Sequence, residues 1–280
     1  MKSTLIIDAG STKMEWVFLD GKEVTKRFTT EGFNPNYAEK QRLTNIIKTA
    51  VETQDIMSHP QTIHYYGTGC GSEKNCQAVK EAFQKYFPQA EIHVTHDLMG
   101  ACHALFGREK GIACILGTGA NSCLYDGSII SDRAVSLGYL VGDEGSGCFI
   151  GRKLVRAYFY DLMSLELKLQ FKEIYHLEIS DFIDRVYHQP EASKYLADFT
   201  KFAGEHQEDP FIRQLVKDCF KEFIQVFVLR YKDCRSLPIS FVGSVAYHFR
   251  DLLQECLSDE GLTMGKVMHS PMDGLIQMYS

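Results

Sequence analysis

Residues 4–21, T-L-I-I-D-A-G-S-T-K-M-E-W-V-F-L-D-G, contain the pattern that decides the fold class. Two short runs, residues 4–7 and 15–19, are rich in apolar and β-forming side chains, and the polar stretch D-A-G-S-T-K lies between them. The pair Asp20-Gly21 after the second run is a turn signal. This pattern predicts a β-hairpin that opens a sheet.

The same pattern returns at residues 111–127, G-I-A-C-I-L-G-T-G-A-N-S-C-L-Y-D-G, about 107 residues further on (residue 111 against residue 4). A period this long indicates a duplicated domain and not a solenoid of short repeats. The alternative is a chance similarity of two Gly-rich hairpins. Duplication is favoured because both turns carry hydroxyl side chains.

The sequence on either side of the two hairpins predicts mixed α/β sheets. In the first half a helical stripe covers residues 37–56, a strand at 63–66 runs into G-T-G-C-G, and helix, strand and helix follow at 75–87, 91–95 and 98–106. In the second half residues 148–231 are helical, and strand, helix and strand follow at 237–242, 245–257 and 265–269. We expect an N-terminal lobe of residues 1–107, onto which a short helix in residues 270–280 packs back, and a C-terminal lobe of residues 108–269.

Composition excludes several classes of protein. The chain has 280 residues, 45% hydrophobic and 24% charged, which is typical of a globular chain with two compact lobes or one large α/β domain. Its net charge of -6 leaves no positive surplus for tracking nucleic acid. The nine cysteines show no C-x-x-C pair, so most are expected to be reduced core residues. The short apolar run at the start, and the lack of any 18-residue apolar stretch, favour the cytoplasm and no membrane contact.

Both Gly-rich turns are candidate phosphate sites, because glycine lets backbone N–H groups approach a phosphate closely and hydroxyl groups complete its shell. The first turn offers Gly10, Ser11, Thr12 and Lys13, and Asp8 before it could hold magnesium through water. The second turn offers Gly117, Thr118 and Gly119. Neither turn is a Walker A or Rossmann loop. Each could instead be a tight hairpin that requires positive φ. Two such turns that face each other across a cleft would clamp a polyphosphate.

Asp97 is the candidate catalytic base. It follows a strand, where a side chain can face the crevice at the carboxyl ends of the strands. Transfer of a phosphoryl group to an alcohol needs a carboxylate that accepts the hydroxyl proton. Asp97 could equally be the N-cap of a helix that begins at Leu98. The neighbouring His96 is interpreted as structural.

Two further segments could contact ligands. In G-D-E-G-S-G (142–147), Asp143 and Glu144 could accept hydrogen bonds from sugar hydroxyl groups, or they could favour the N-terminus of the next helix. In F-V-G-S-V-A (241–246), the small residues Gly243 and Ser244 leave room for a flat base. By itself this second signal is weak.

Together, the four segments resemble the actin-like ATPase superfamily of sugar kinases, most closely the N-acetylglucosamine kinase group of the BadF/BadG/BcrA/BcrD family. D-A-G-S-T-K is similar to that family's first phosphate motif, L-G-T-G-A-N-S to its second, G-D-E-G-S-G to its sugar-side signature and V-G-S-V-A to its adenosine motif. The resemblance implies a duplicated ribonuclease H-like (actin-like ATPase) α/β fold, with two lobes of mixed sheets flanked by helices and an interlobe cleft.

The resemblance also implies an ATP- and magnesium-dependent kinase that phosphorylates the 6-hydroxyl of N-acetylglucosamine or a related amino sugar. It implies ATP contacts for Thr12 and Thr118, and it is compatible with a homodimer. Asp97 would be the base, and the sugar site would be lined by Asn34, Asn121, Gly138 and Asp143.

The chain departs from relatives at three places. Leu137 stands where relatives have Trp, no aromatic residue follows Asn34 closely, and Cys219-Phe220 replace a small pair that faces adenine.

Two other functions fit the same motifs. An activator ATPase of the same superfamily would couple ATP hydrolysis to electron delivery through an iron-sulfur cluster, for which no convincing cysteine pattern is present. A non-catalytic sugar sensor on the kinase fold would bind sugar without forming ADP.

Overall fold

The computed structural model describes residues 3–56 and 60–280. The chain forms two compact units. Unit 1 contains the described residues up to Glu109 together with Ser270–Ser280, and unit 2 is Lys110–His269.

Unit 1 is built on a five-stranded mixed sheet in the order β3-β2-β1-β4-β5. The first three strands are antiparallel neighbours, and β1, β4 and β5 are parallel. The strands are β1 (Ser3–Ala9), β2 (Lys13–Asp20), β3 (Glu23–Glu31), β4 (Thr62–Gly67) and β5 (Glu91–His96). The predicted hairpin is confirmed as β1–β2. The third strand was not predicted. Its sequence, E-V-T-K-R-F-T-T-E, forms an exposed edge strand with too few apolar residues to show the alternation of apolar and polar side chains that indicates a strand.

Four helices belong to unit 1: α1 (Lys40–Thr53), α2 (Glu73–Gln84), α3 (Asp97–Phe106) and α12 (Met272–Tyr279). Helix α1 buries four members of the predicted stripe, Leu43, Ile46, Ile47 and Ala50, whereas the fifth, Val51, is half-buried. Helix α12 packs on α3 so closely that a Cβ on Gly274 would lie 2.5 Å from the Ala104 carbonyl oxygen.

Unit 2 has a sheet with the same connectivity, in the order β10-β9-β6-β7-β8. Its strands are β6 (Gly111–Leu116), β7 (Ala120–Tyr125), β8 (Ile130–Arg133), β9 (Ile239–Val242) and β10 (Met264–Met268). Reading β8 to β10 across this sheet repeats the order β3 to β5 of unit 1, with the same antiparallel and parallel pairs. The duplication is therefore confirmed, and chance similarity of two hairpins does not account for it.

The helical layer of unit 2 lies between β8 and β10 in the chain. Its helices are α4 (Gly147–Phe159), α5 (Leu165–Tyr175), α6 (Ile179–Tyr187), α7 (Ala192–Asp198), α8 (Thr200–Glu205), α9 (Pro210–Phe223), α10 (Ser244–His248) and α11 (Arg250–Asp259). A π-helical turn, Ile224–Val228, extends α9. The single helix predicted at 245–257 is instead two helices with a break at Phe249.

Candidate active site

The carboxyl ends of three parallel strands lie side by side in unit 1. In the sheet register Ala9 pairs with Gly67, and Gly67 pairs with His96. The residues that follow each strand are therefore neighbours: the turn that begins at Gly10, then Thr68, then Asp97. This edge of an open α/β sheet is where ligands usually bind.

Asp8 and Asp97 share one environment at this edge. The pKa of Asp8 is raised to about 7, chiefly by burial and also by the negative charges of Asp97 and Glu15, while the charge of Lys13 lowers it. Burial also raises the pKa of Asp97, opposed by His96 and by hydrogen bonds from the Leu98 N–H and the Thr68 hydroxyl. Protein surrounds both carboxyl groups, yet each residue keeps part of its surface open to solvent. A cation or an incoming proton would relieve the repulsion between them.

The N-cap interpretation of Asp97 is wrong by one residue. Helix α3 begins at Asp97, and its N-cap is His96, whose Nδ1 accepts a hydrogen bond from the Met99 N–H (3.3 Å). The structural role predicted for His96 is thus confirmed. Asp97 uses one oxygen, Oδ1, to accept the N–H of Leu98 (2.9 Å).

The first phosphate-type turn is fixed by its own backbone and by residues 32–33. The Gly10 N–H donates to the Lys13 carbonyl (3.0 Å), and the Phe33 N–H donates to the Gly10 carbonyl (3.2 Å). The side chains of Ser11, Thr12 and Lys13 are exposed. Within residues 8–13 and 116–122, all of which the structure describes, no residue has positive φ. The positive-φ interpretation is therefore wrong for both turns.

Asn34 lies against this turn. Its Nδ2 donates to Ser11 Oγ (3.2 Å), and a Cβ on Gly69 would lie 2.3 Å from its Oδ1. Gly69 has φ +76, a conformation that favours glycine. Unit 1 thus brings the predicted sugar residue Asn34 to the same sheet edge as the first turn and the loop after β4.

Three of the four motif segments meet in unit 2. The N–H groups of Gly147 and Cys148 donate to the carbonyls of Gly117 (2.8 Å) and Thr118 (3.1 Å), so the start of α4 holds the second turn. Gly243 touches the other side of this turn: it has φ +129, and a Cβ there would lie 2.1 Å from the Leu116 carbonyl oxygen. At Gly117 a Cβ would meet nothing within 4 Å, so the space beside this glycine is open.

Asp143 is buried beside the second turn. It is 8% exposed, it accepts the Ser136 hydroxyl (3.3 Å), and its Oδ2 would lie 3.0 Å from a Cβ on Gly119. Burial raises the pKa of Asp143, and hydrogen bonds from the Ala120 N–H and Ser136 oppose this rise. The capping interpretation is wrong for Asp143, because Ser146 is the N-cap of α4.

The other predicted residues of unit 2 lie near this centre. Gly138 has φ +74 in a loop held by the Arg152 guanidinium, which donates to the Leu140 carbonyl (2.7 Å). Asn121 lies on β7 immediately after Ala120, and its Oδ1 accepts the Ser122 N–H (2.9 Å). Glu144 is half-buried next to Asp143, and Ser244 is exposed at the start of α10.

The sequence analysis missed the role of the loop after β4. In this loop Thr68 follows β4 at the level at which Asp97 follows β5, and Gly69 packs against Asn34, so the loop adjoins both residues predicted for unit 1. The signal was present, because a strand that runs into G-T-G-C-G has the same form as the two phosphate-type turns.

The structure also bears on metals, cysteines and membranes. Over residues 3–56 and 60–280, no group of three or more His, Cys, Asp or Glu side chains is arranged to hold a metal ion. All nine cysteines are free thiols and eight are buried, as predicted for core residues. No helix in the described part of the chain is long and apolar enough to cross a membrane.

Solved structures resemble the whole chain. A provisionally named N-acetylglucosamine kinase from Porphyromonas gingivalis is 37% identical, with a TM-score of 0.94 over 99% of this chain and 98% of that one. The chain belongs to the N-acetylglucosamine kinase group of the BadF/BadG/BcrA/BcrD ATPase family. The resemblance carried by the four motifs is thereby confirmed, as is the duplicated ribonuclease H-like fold.

More distant structures share the fold alone. A provisionally named N-acetylglucosamine kinase from Chromobacterium violaceum is 15% identical, with a TM-score of 0.66 over 100% of this chain and 99% of that one. A ROK family glucokinase from Streptomyces griseus, solved with glucose and AMPPNP, is 14% identical, with a TM-score of 0.58 over 99% and 98%. No protein-family model and no curated protein matches the sequence.

Proposed function

We propose that this protein is an ATP-dependent kinase that phosphorylates the 6-hydroxyl of N-acetylglucosamine or a related amino sugar. One observation carries the proposal: Asp97 and Asp8 lie together at the carboxyl ends of β5 and β1, beside an exposed turn of phosphate-binding type. Membership of the family and the complete set of four motifs support it.

Asp97 is the proposed base. Its raised pKa makes it a better proton acceptor than an exposed aspartate, and the Leu98 N–H orients its carboxylate. Holding the sugar hydroxyl in line with the γ-phosphate would supply most of the rate enhancement, because phosphoryl transfer depends chiefly on positioning and electrostatics.

The residues at the edge of the unit 1 sheet fit magnesium. Asp8 is an oxygen donor in a region of surplus negative charge, and magnesium is commonly held by one or two carboxylates, substrate phosphates and water. Asp8 would hold the ion through a bound water molecule, as an outer-sphere contact, and the bound ion would neutralise phosphate charge.

Phosphate contacts are assigned to Gly10, Ser11, Thr12 and Lys13 of the first turn and to Gly117, Thr118 and Gly119 of the second. The adenosine is assigned to the segment at Gly243 and Ser244, whose glycine packs on the second turn. The proposed sugar ligands are Asn34, Asn121, Gly138, Asp143 and Glu144. Asn34 and Asp143 carry this assignment best, since other side chains or backbone groups hold each of them in place.

A coupled ADP-release assay tests the proposal. Purified protein with ATP and magnesium is given glucose, glucosamine, N-acetylglucosamine, N-acetylmannosamine or N-acetylmuramic acid in separate reactions. We expect ADP release that depends on an N-acetylated amino sugar. ADP release without any sugar would instead support an activator ATPase, and sugar binding without ADP release would support a sensor.

A further inference from the structure

We propose that Arg152 is a positioning residue that holds the loop of residues 137–142 against helix α4 and thereby sets the affinity for the sugar. The inference rests on the proposed function in assigning Gly138, within this loop, and Asp143, directly after it, to the sugar site. The structural claim, that Arg152 holds the loop in place, is tested separately below.

The loop of residues 137–142 is closed on itself and presents apolar side chains to solvent. The Gly142 N–H donates to the Gly138 carbonyl (2.9 Å), which closes the loop. Three of its apolar side chains are 63%, 66% and 71% exposed, namely Leu137, Leu140 and Val141. Burial of these side chains therefore contributes little to holding the loop against the rest of unit 2.

The Arg152 guanidinium holds the loop from outside it. Its Nη1 donates to the Leu140 carbonyl (2.7 Å), and its Nη2 donates to the Gly142 carbonyl (3.4 Å). The planar fork of a guanidinium can bind two acceptors at once in a fixed geometry, which a lysine ammonium does not reproduce. The guanidinium also lies over the ring of Phe149 on the same helix (5.1 Å), which helps to fix its direction.

Helix α4 is a fixed support for this side chain. A Cβ on Gly151, next to Arg152, would lie 1.8 Å from the Leu196 carbonyl oxygen, so α4 and α7 are in backbone contact. The start of α4 also holds the second phosphate-type turn through the N–H groups of Gly147 and Cys148. One helix therefore contacts the turn with its N-terminus and the loop with Arg152, and the loop is held in a fixed relation to the turn.

The charge of Arg152 also acts on Asp143. Burial raises the pKa of Asp143, as does the charge of Glu144, whereas the Ala120 N–H, the Ser136 hydroxyl and the Arg152 charge lower it. Arg152 thus favours the ionised carboxylate, which can accept hydrogen bonds from a sugar. A variant that keeps the charge without the fork separates this effect from the position of the loop.

Lys153 offers a matched control because it is the next residue of α4. Its ammonium also lies over the Phe149 ring (4.9 Å), but its ion pair is with Glu222 (3.0 Å), which belongs to α9. Removing this cation changes the charge of the helix by the same amount as removing Arg152. The two residues therefore differ in the element that each one contacts.

The binding test compares Arg152→Met, Arg152→Lys and Lys153→Met, with N-acetylglucosamine as the sugar in calorimetry and in ADP release. We expect Arg152→Met to raise the sugar Kd and KM about 10- to 100-fold, while kcat and the KM for ATP change less than about threefold. Arg152→Lys should stay at least about fivefold above the natural protein, because it keeps the charge and loses the fork. Lys153→Met should change these values less than about twofold.

Three results of this test would overturn the proposal. The first is an Arg152→Met protein that binds the sugar as tightly as the natural protein. The second is an equal loss of affinity in Lys153→Met, which would make the effect one of helix charge. The third is full recovery by Arg152→Lys, which would show that the fork has no role in positioning.

Amide hydrogen exchange tests the structural claim without any activity. The backbone amides of residues 137–142 should exchange at least about tenfold faster in Arg152→Met than in the natural protein and in Lys153→Met. Exchange of residues 147–151 should be unchanged, which checks that the variant is folded. Equal exchange of the loop in all three proteins would overturn the proposal even if sugar affinity fell. If no sugar supports ADP release by the natural protein, the proposed function fails, and the exchange comparison still decides whether Arg152 holds the loop.

Discussion

The two units repeat one sheet topology and carry different chemistry at the same places. In unit 1 carboxyl groups stand near the ends of the first and last strands, at Asp8 and Asp97. In unit 2 the corresponding positions hold Ile115, near the end of β6, and His269, directly after β10. Unit 2 instead surrounds its turn with glycines and with the start of α4.

The difference shows how a duplicated fold divides a task. Carboxylates at a sheet edge can accept a proton or hold a cation, whereas close-packed glycines expose backbone groups to a ligand without side-chain interference. The two units also differ in the helix that follows their last strand. Helix α3 follows β5 and belongs to the same unit, whereas α12 follows β10 of unit 2 but packs in unit 1. Four predictions test this contrast.

The largest effect is expected at Asp97. Asp97→Asn keeps the size of the side chain and removes the proton acceptor, so kcat should fall about 10²- to 10⁴-fold with sugar binding retained. His269→Asn, at the corresponding place in unit 2, is the matched control and should change kcat less than about threefold. Steady-state ADP release and calorimetric sugar binding measure the two quantities. Near-normal turnover by Asp97→Asn would refute its role as base.

The next effect concerns packing in unit 2. Gly243→Ala places a methyl group 2.1 Å from the Leu116 carbonyl at φ +129, and should lower the free energy of unfolding by about 3 kcal/mol or more. Gly117→Ala meets no atom within 4 Å and should change stability by less than about 0.5 kcal/mol, while it raises the KM for ATP. Urea denaturation and ATP titration separate these outcomes. Equal stability losses would contradict the proposed distinction between packed and open glycines.

The third prediction concerns the buried acid that unit 2 lacks. Asp8 has a pKa of about 7 in the folded protein against 3.8 as a free side chain, so between these values the folded state holds a proton that the unfolded state has released. Stability contributed by this group is therefore present below pH 4 and is lost as pH rises toward 7.

Asp8→Asn removes this dependence. Without metal, the variant should exceed the natural protein by about 1–3 kcal/mol at pH 8, with the difference vanishing near pH 3.5. This stability difference is smaller than the whole change in the pKa of Asp8 would give, because Asp8 retains some contact with water. Urea unfolding in EDTA across this pH range measures it. A natural protein whose stability relative to Asp8→Asn rises with pH would show that Asp8 is stabilised as a carboxylate.

The smallest effect is expected where α12 joins unit 1. Arg27 contacts Asp273 on α12 (2.7 Å) and Glu15 on β2 (2.7 Å), and Asp273 is largely exposed. Asp273→Asn should cost less than about 1 kcal/mol because exposed ion pairs contribute little. Glu15→Gln should cost more, since Glu15 is 7% exposed and also accepts the Ser270 hydroxyl (3.0 Å). Thermal denaturation measures the stability loss of each variant. A larger loss for Asp273→Asn than for Glu15→Gln would show that the exposed ion pair, and not the buried glutamate, holds α12 in place.

The sequence by itself determined the hairpins, their duplication, the helical stripes and the four motifs, because periodic burial and turn chemistry are local properties. It could not show the edge strands β3 and β8, whose exposed polar residues lack that periodicity. Only the tertiary structure decided that His96 caps α3 and leaves Asp97 beside Asp8, and that Gly243 and Asp143 pack on the second turn. The cap depends on the residue at which α3 begins, and the other facts depend on register between strands and on packing between segments about 30 to 130 residues apart, which no local pattern contains.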